Sequence, residues 1–522
     1  MLNFKHDIHM LQQNSYRIPR YWRYLTKNDI GSSWRLVDVA MLFIACSRLL
    51  DMRFVVFLTA LLALYKIASI CRKKFKKPLV FTRRVWRIYS VAVAIGAGLY
   101  LWDVFILGFK ADAWGFYSGP VLTVSILLLM TIFSWFIVIL SVVLLMPVES
   151  MINRKYWNEA ASILKSMPDL TVIGITGSYG KTSTKHFLER ILSEKYDVLM
   201  TPGSYNTTMG VIRTVREYLK PFNNVFICEM GAKQSGDIKE ICELVHPKIG
   251  IITAVGPMHL ETFKTLENVR STKFELIDFL PSNGFAVIND DFEYCRNRTV
   301  DNVEAFRYTV GKDVDFNSEN IESYTARNIS YTSSGTSFEI VGKNGFEISL
   351  NTKLIGECNV SNIMAAVIVA VKMGMSKEEI YRGVASIEPV EHRLSIKRTP
   401  GGVTILDDAF NSNPHGSRMA LDVLSQFNEG KRIVVTPGMI ELGHKQKELN
   451  LKFGEHMADS CDVAIIVGHY NREAISEGLR KAEFKGEIYE VDSFDKAQEV
   501  LTTIMKRGDT VLYENDLPDS FK

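Results

Sequence analysis

Long apolar runs near the N-terminus are the strongest pattern of hydrophobic and polar positions in this chain. They cover residues 54–71, 88–109 and 113–148, and together they contain only two charged side chains. Each run is long enough to cross a bilayer as a helix, because a crossing needs about 20 residues. The pattern therefore predicts an α-helical transmembrane region over residues 1–150.

Basic residues predict the orientation of this region. Eight of them, with no acid among them, lie between the first two runs, so this loop is expected in the cytoplasm. They are Arg72, Lys73, Lys74, Lys76, Lys77, Arg83, Arg84 and Arg87. A shorter run, residues 37–50, spans the membrane only if the basic N-terminus is cytoplasmic as well. This leaves three or four crossings, of which four are favoured, with the remainder of the chain in the cytoplasm.

After residue 150 the pattern changes to short β-rich runs that alternate with amphipathic helical segments. This alternation is typical of doubly wound α/β domains. We expect a central domain over residues 151–391 and a Rossmann-like C-terminal domain over residues 392–522. Buried strands are predicted at residues 225–228, 249–253, 403–406, 432–436, 463–467, 487–491 and 510–513.

A glycine-rich turn at residues 176–183 lies between a predicted strand and a predicted helix. Gly177 and Gly180 let the backbone fold around phosphate oxygens, Lys181 can reach the terminal phosphates, and the Thr182 hydroxyl can bind Mg²⁺. The motif, T-G-x-x-G-K-T, is a compact variant of the usual P-loop. A glycine-rich turn alone could be an ordinary connection, but the Lys-Thr pair favours ATP and Mg²⁺ as cofactors of a P-loop-type ATPase domain.

Two polar residues follow predicted strands of the central domain, Glu229 after residues 225–228 and His259 shortly after residues 249–253. Either could be a surface or capping residue. Ligands of parallel sheets bind at the carboxyl ends of the strands, where the glycine-rich turn also lies. This placement predicts a role in metal or phosphate binding.

Net charge and cysteine spacing argue against some classes of function. The formal net charge is +3, so no nucleic-acid partner is indicated. Seven cysteines are scattered without a C-x-x-C pair, which argues against a zinc site or a disulfide framework.

A series of motifs over residues 165–515 resembles, in order, the motifs of the Mur ligases. They are Thr176-Gly-Ser-Tyr-Gly-Lys-Thr182, Tyr205-Asn-Thr-Thr-Met-Gly210, Glu229-Met-Gly-Ala232, Gly256-Pro-Met-His-Leu-Glu261, Asn289-Asp-Asp291, Gly356-Glu-Cys-Asn359-Val-Ser-Asn362, His392-Arg393 and Asp407-Asp-Ala-Phe-Asn-Ser-Asn-Pro414. The resemblance implies an ATP-dependent carboxylate–amine ligase of bacterial cell-wall (peptidoglycan) biogenesis that works through an acyl phosphate.

The resemblance also implies roles for individual residues. Lys181, Lys273, His259 and Arg393 would be catalytic, and Lys273 would be carbamylated by CO2. Mg²⁺ would be held by Thr182, Glu229, His259 and the modified Lys273. The nucleotide would be contacted by Thr176, Gly177, Ser178, Gly180, Lys181, Thr182, Ser183, Asn289, Asn359, Asn362, Asp408 and Asn411. Asn206 and Thr207 would lie near the acceptor substrate.

Two departures from the family leave the substrates open. The membrane region occupies the place where soluble members carry a domain that binds the UDP end of the precursor. We therefore expect a lipid-linked envelope precursor as acceptor and membrane lipids as partners, and the alternative is that the helices only tether an enzyme with a soluble acceptor. Residues 513–518 lack a Lys-Gly-Ser-Arg-like segment, so the amine could be an amino acid or a dipeptide. A poly-γ-glutamate-type synthase and an ATP-driven membrane transporter or scaffold remain as alternative functions.

Overall fold

The computed structural model describes residues 2–46, 52–72, 78–102, 105, 119–312, 322–332, 335–410 and 412–516. These residues form two compact units, which meet in sequence at Arg154 and Lys155. The helices that begin in the first unit are α1 (Leu2–Gln13), α2 (Ile18–Tyr24), α3 (Ser33–Cys46), α4 (Met52–Arg72), α5 (Arg83–Trp102), α6 (Gly119–Ile132) and α7 (Ser134–Lys165).

Among the described residues, three helical segments that begin in this unit are long and apolar enough to cross a membrane: Arg53–Ile70, Arg83–Trp102 and Ser134–Lys165. Within the predicted run at 113–148, the described residues 119–148 are divided between α6 and α7, and residues 113–118 lie outside the described residues. Residues 37–46 of the short run at 37–50 belong to α3, and its residues 47–50 lie outside the described residues. The number of crossings stays a prediction.

Charged side chains lie inside the first unit. Arg35 is 4% exposed and pairs with the carboxylates of Asp7 and Asp29. The surface of α4 is apolar instead, and only 6% of its most apolar segment is buried. The unit thus combines a buried charge cluster and an apolar core with an exposed apolar helix surface.

The first sheet of the second unit has nine strands in the order β2-β3-β1-β4-β5-β6-β7-β8-β9. Their bounds are β1 (Thr171–Thr176), β2 (Val198–Met200), β3 (Val225–Glu229), β4 (Ile249–Ile252), β5 (Phe285–Asn289), β6 (Glu304–Val310), β7 (Glu322–Thr332), β8 (Gly335–Gly342) and β9 (Phe346–Thr352). The strands are parallel up to β7, and β8 and β9 add an antiparallel edge.

Helices cover both faces of this sheet, as the alternating pattern predicts. They are α8 (Lys181–Leu192), α9 (Thr208–Glu217), α10 (Asp237–Val245), α11 (Leu260–Phe263), α12 (Leu266–Asp278), α13 (Glu293–Arg296), α14 (Glu357–Lys372) and α15 (Lys377–Ala385). One apolar core joins α8 and α14 to the sheet, and a second joins α9, α10 and α12 to its other face. Burial on both faces explains why β3 and β4 read as continuous apolar runs.

The second sheet has six strands in the order β10-β11-β15-β12-β13-β14, all parallel except the edge strand β10. The elements are β10 (Ser395–Arg398), β11 (Thr404–Asp408), α16 (Pro414–Leu424), β12 (Arg432–Thr436), α17 (Gln446–Ser460), β13 (Val463–Val467), α18 (Arg472–Lys481), β14 (Glu487–Val491), α19 (Phe494–Ile504) and β15 (Thr510–Glu514). The predicted strands are confirmed within two residues, and β10 was not predicted.

Candidate active site

The glycine-rich turn connects β1 to α8 at the carboxyl edge of the first sheet. Close approach requires both glycines: a Cβ at Gly177 would lie 2.1 Å from Thr253 Oγ1, and one at Gly180 would lie 2.4 Å from Asn362 Oδ1. Gly180 also has φ +76°, which favours glycine. Ser178 Oγ donates to Gly256 O over 3.1 Å. The turn is therefore held rigidly against the loop after β4.

Thr176 and Ser183 flank this turn and are both buried. Thr176 Oγ1 donates to the carbonyl of Met230 over 2.9 Å, so its hydroxyl fixes the end of β1. Ser183 lies in the first turn of α8. The N-terminus of this helix faces the turn, which is a favourable place for phosphate oxygens.

Lys181 and Thr182, the first two residues of α8, extend into the site. Lys181 Nζ donates to Gly177 O over 2.7 Å, so the ammonium lies along the turn. Burial, opposed by Glu229 and helped by Arg393, lowers the pKa of Lys181 to about 8. Thr182 Oγ1 donates to Glu229 Oε1 over 3.3 Å.

Glu229, the last residue of β3, joins the phosphate-binding turn to the acceptor loop. It is 1% exposed, and its Oε1 also accepts a 2.9 Å hydrogen bond from Asn206 Nδ2. Burial alone would raise the pKa of this carboxyl group. Lys185 and Lys181 outweigh the burial and hold the pKa below its usual value, so Glu229 is an anion at neutral pH.

Lys185 completes this arrangement and was missed by the sequence analysis. Its side chain is fully buried, and its Nζ lies 3.0 Å from Glu229 Oε2 and donates to Gly203 O over 2.5 Å. The signal for it was present, because a lysine four residues after Lys181 lies on the same face of α8. Lys185 therefore ties the loop between β2 and α9 to the carboxylate.

Asn206 and Thr207 lie in this loop but have different local roles. Asn206 contacts Glu229, and its carbonyl accepts from Gly231 N over 2.7 Å. Thr207 is the N-cap of α9, and its hydroxyl accepts from Gly210 N over 3.3 Å. The side chain of Thr207 therefore has a structural role whether or not it also contacts an acceptor.

His259 and Lys273 approach from the loop after β4 and from α12. His259 Nδ1 contacts Glu441 Oε2 of the C-terminal domain. Burial lowers the pKa of His259, which Glu441 opposes. Lys273 is 4% exposed, and burial, helped by the charge of Lys181, lowers its pKa to about 7.

The three asparagines expected to contact the nucleotide border the turn. Asn289 Nδ2 donates to Thr253 O over 2.9 Å and to Ser361 Oγ over 3.0 Å, so its amide supports the loop after β4. Asn359 Nδ2 donates to Ile355 O over 2.9 Å. Asn362 Oδ1 accepts from Thr184 Oγ1 over 3.1 Å. All three side chains are buried.

The C-terminal domain contributes Arg393 and Asp408. Arg393 Nη2 lies 3.5 Å from Thr182 Oγ1, and the guanidinium lies over the Phe410 ring at 4.4 Å. Asp408 Oδ1 accepts from Leu394 N over 3.1 Å. Burial raises the pKa of Asp408 to about 6, against the opposing charge of Arg393. Asn411 lies outside the described residues.

The expected Mg²⁺ set is only partly assembled by the protein alone. Thr182 and Glu229 supply the hard oxygen ligands that Mg²⁺ prefers, and Mg²⁺ usually keeps waters and substrate phosphates as its other ligands. Lys273 does not fit as an ammonium and would fit as a carbamate anion. In the part of the chain that the structure describes, no three His, Cys, Asp or Glu side chains form a metal-binding group.

Comparison with known proteins identifies both α/β domains. The model of the Mur ligase middle domain matches residues 175–370. The model of the Mur ligase, glutamate ligase domain matches residues 392–513. Both matches fall in the second unit, on the two sheets that form the site.

Individual Mur ligases are also similar in sequence to this chain. The UDP-N-acetylmuramoyl-tripeptide–D-alanyl-D-alanine ligase of Escherichia coli K12 is 29% identical over 360 residues, which cover 68% of this chain and 77% of the relative. The enzyme of the same name from Bacillus subtilis 168 is 26% identical over 346 residues, covering 66% and 72%. Among the Mur ligases, the motifs in residues 165–515 resemble those of the ligases that add D-alanyl-D-alanine most.

Solved structures share the fold. MurF ligase from Thermotoga maritima in complex with ADP superposes with a TM-score of 0.59 and 26% identity, covering 70% of this chain and 80% of that one. MurF from Acinetobacter baumannii gives a TM-score of 0.62 at 24% identity, covering 70% and 77%. The expected ligase fold is confirmed for the two α/β domains.

Proposed function

Because this chain belongs to the Mur ligase family of ATP-dependent acid–amino-acid ligases, which use ATP and Mg²⁺, we propose that it extends a peptidoglycan precursor peptide. The relatives named above act on a UDP-MurNAc-tripeptide and D-alanyl-D-alanine. We propose the same amide bond here, between the peptide carboxylate and the amino group of the dipeptide.

One observation carries the proposal: the two α/β domains meet over the phosphate-binding turn. Arg393 of the second domain lies 3.5 Å from the Thr182 hydroxyl of the first, and Thr182 contacts Glu229. A ligase needs this arrangement, because the activated carboxylate and the incoming amine must be brought together while water is excluded.

The reaction follows from the charges in this site. A carboxylate oxygen attacks the γ-phosphorus of ATP and ADP leaves, which gives an acyl phosphate. The amine then attacks the acyl carbon, phosphate leaves, and the amine nitrogen loses a proton. Lys181 and Arg393 stabilise the negative charge that develops on the phosphate oxygens. Bound Mg²⁺ would neutralise phosphate charge, with Thr182 and Glu229 as its protein ligands.

Lys273 is proposed to act as a carbamate. Addition of CO2 requires a neutral amine, and a pKa of about 7 leaves much of the Lys273 amine neutral at physiological pH. The product is an anion in a site that contains several cations. His259 is proposed as a further metal ligand.

The N-terminal unit is proposed to attach the enzyme to the bacterial cell membrane, with the ligase domains in the cytoplasm. The support is the apolar exposed surface of α4, together with a buried charge cluster around Arg35. This unit also favours a second candidate substrate, a lipid-linked precursor with the same peptide carboxylate, because such an acceptor lies at the membrane surface.

Phosphate release by the detergent-solubilised full chain tests the proposal. ATP and Mg²⁺ would be combined with D-alanyl-D-alanine, single amino acids or glutamate, and with a UDP-linked or a lipid-linked tripeptide precursor. Release that needs the dipeptide and either precursor supports the ligase, and the active precursor identifies the carrier. Release with glutamate alone would indicate a poly-γ-glutamate-type synthase, and release independent of acceptor and amine would refute a ligase.

Matched lysine variants make this assay specific. Lys181→Ala is expected to lower the rate by about a thousandfold, since a preorganised charge at the phosphates is worth a factor of that order. Lys239→Ala removes an exposed lysine and should leave the rate unchanged. Equal rates for the two variants would contradict the assignment of Lys181.

Membrane attachment needs its own measurement. The full chain should sediment with membranes and remain there after an alkaline carbonate wash, which removes peripheral proteins. Recovery in the soluble fraction would refute the anchor and leave the ligase proposal intact.

A further inference from the structure

A contact between the two α/β domains places a carboxylate against a proposed metal ligand. His259 belongs to the loop between β4 and α11, and Glu441 belongs to the loop after β12 of the second domain. The Glu441 Oε2 atom contacts Nδ1 of the imidazole, and the two side chains are only 24% and 20% exposed. The contact is therefore partly shielded from water.

The backbone around both residues is built for this contact. His259 has φ 51° and Glu441 has φ 62°, a left-handed conformation that is uncommon for residues other than glycine. Such conformations persist where the surrounding structure enforces them, and they are frequent at functional sites. The Glu261 amide also donates to the Glu441 carbonyl over 3.4 Å, so main chain as well as side chain joins the loops.

A nearby glycine allows the two loops to approach. Gly443 has φ 59°, and a Cβ there would lie 3.2 Å from both Glu261 N and the carbonyl carbon of Leu260. A larger residue would push the second domain away from α11. The loop that carries Glu441 is thus packed closely against the backbone at the start of α11.

We propose that Glu441 is a positioning residue that orients the His259 imidazole for Mg²⁺. With Nδ1 hydrogen-bonded to the carboxylate, Nε2 is the nitrogen left for the metal, and a carboxylate behind a metal-bound histidine fixes both its tautomer and its ring orientation. Because Glu441 belongs to the second domain, the metal site is complete only when the domains are closed. This inference rests on the proposed function, in which His259 is a metal ligand.

Orientation of His259 by Glu441 would couple domain closure to chemistry. The nucleotide turn, Glu229 and Lys273 all belong to the first domain, so they could bind ATP and Mg²⁺ with the domains apart. Orientation of His259 by Glu441 would make tight metal binding depend on arrival of the domain that also brings Arg393. ATP would then be hydrolysed less readily before both substrates are enclosed.

Glu441→Gly is the informative variant, because glycine favours the local φ and the backbone should keep its conformation. A matched control is Glu483→Gly in the same domain, since Glu483 has φ 52° and a side chain that is 84% exposed. Mn²⁺ would replace Mg²⁺ and would be titrated by electron paramagnetic resonance with a non-hydrolysable ATP analogue on the detergent-solubilised chain.

The expected result is a Mn²⁺ affinity about 10 to 100 times lower for Glu441→Gly, the range found when the partner of a metal-bound histidine is removed. Glu483→Gly should match the wild type. Glu441→Gln should recover most of the affinity, because its amide oxygen can still accept the Nδ1 proton. Unchanged Mn²⁺ affinity in Glu441→Gly would overturn the inference.

A double-mutant cycle separates positioning from simple domain docking. If Glu441 acts through His259, Glu441→Gly should have almost no effect on Mn²⁺ affinity in a His259→Ala background. An equal effect in both backgrounds would overturn the positioning role and leave Glu441 as a docking contact. If His259→Ala alone leaves Mn²⁺ affinity unchanged, the metal assignment in the proposed function fails instead.

Hydrogen exchange gives a readout that does not depend on activity. Residues 259–263 should be protected in the wild type with Mn²⁺ and the ATP analogue, and should exchange faster in Glu441→Gly. Protection identical to that of the wild type would count against coupling between closure and the metal site.

Discussion

Replacing Lys185 by methionine should strongly destabilise the first α/β domain. The Lys185 side chain is fully buried and Glu229 is 1% exposed, so the ion pair between them is shielded from water. Methionine has a similar length but no charge, and it would leave the Glu229 carboxylate in place. The hydrogen bond to Gly203 O would be lost as well.

The magnitude follows from the burial of the pair. Removing one partner of a buried ion pair costs about 3–5 kcal/mol, because the remaining charge stays buried without its partner. A domain of this size loses roughly 2–4 °C of melting temperature per kcal/mol. The melting temperature of Lys185→Met should therefore fall by about 6–20 °C.

Differential scanning fluorimetry of the full chain in detergent measures this shift. The control is Lys195→Met, since Lys195 also donates to a backbone carbonyl, Gly374 O at 2.6 Å, but is exposed. Its melting temperature should fall by less than about 2 °C, the effect expected for a surface substitution. Adding Glu229→Leu to Lys185→Met should restore at least half of the loss, because the unpaired charge is then absent. A shift for Lys185→Met no larger than that of the control would refute the reasoning.

Three further outcomes are expected. Lys273 should give a carbamate signal in ¹³C NMR with labelled bicarbonate at pH 8 and lose it well below pH 7, because a pKa of about 7 leaves most of the amine neutral and reactive only at the higher pH. Absence of the signal at both pH values would contradict the carbamate. Gly180→Ala should abolish ATP-analogue binding by calorimetry, since its Cβ would lie 2.4 Å from Asn362 Oδ1; wild-type affinity would show that the turn adapts. Burial raises the pKa of Glu514 well above its usual range, so its contribution to stability is present at low pH and is lost as the pH rises. Glu514→Gln should therefore raise the melting temperature more at pH 8 than at pH 5, and an equal change at both values would refute this sign.

Local patterns were sufficient to predict much of the fold. The predicted strands at residues 432–436 and 463–467 match β12 and β13, because each is a short apolar run buried on both faces. The antiparallel edge formed by β8 and β9 was not predicted. On these strands buried and exposed residues alternate more clearly, and nothing local distinguishes an extension of one sheet from a separate hairpin.

In the candidate site, too, residues close in sequence could be predicted together, whereas contacts between residues far apart in sequence could not. Gly177, Gly180, Lys181 and Thr182 are adjacent in sequence, so their spacing predicts the phosphate-binding turn. Glu441 lies 182 residues from His259, and a single sequence contains no signal that joins them. For Thr207 even the local sequence is ambiguous, because a threonine before a helix has the same sequence signature whether it caps the helix or binds a substrate.

The charges of the site explain why the two domains and the nucleotide depend on one another. Lys181, Lys185, Lys273 and Arg393 all interact with the carboxylate of Glu229, while Asp408 also faces Arg393 and Asp237 and Glu275 also face Lys273. Burial, helped by Arg393, lowers the pKa of Lys181 to about 8, and burial, helped by Lys181, lowers that of Lys273 to about 7, so additional negative charge near these groups would favour their charged forms. The phosphates of bound ATP would supply such negative charge, and the proposed carbamate of Lys273 would replace a cation by an anion. We therefore expect bound ATP to stabilise the arrangement in which Arg393 lies beside Thr182, because its phosphates are attracted to the cations of both domains.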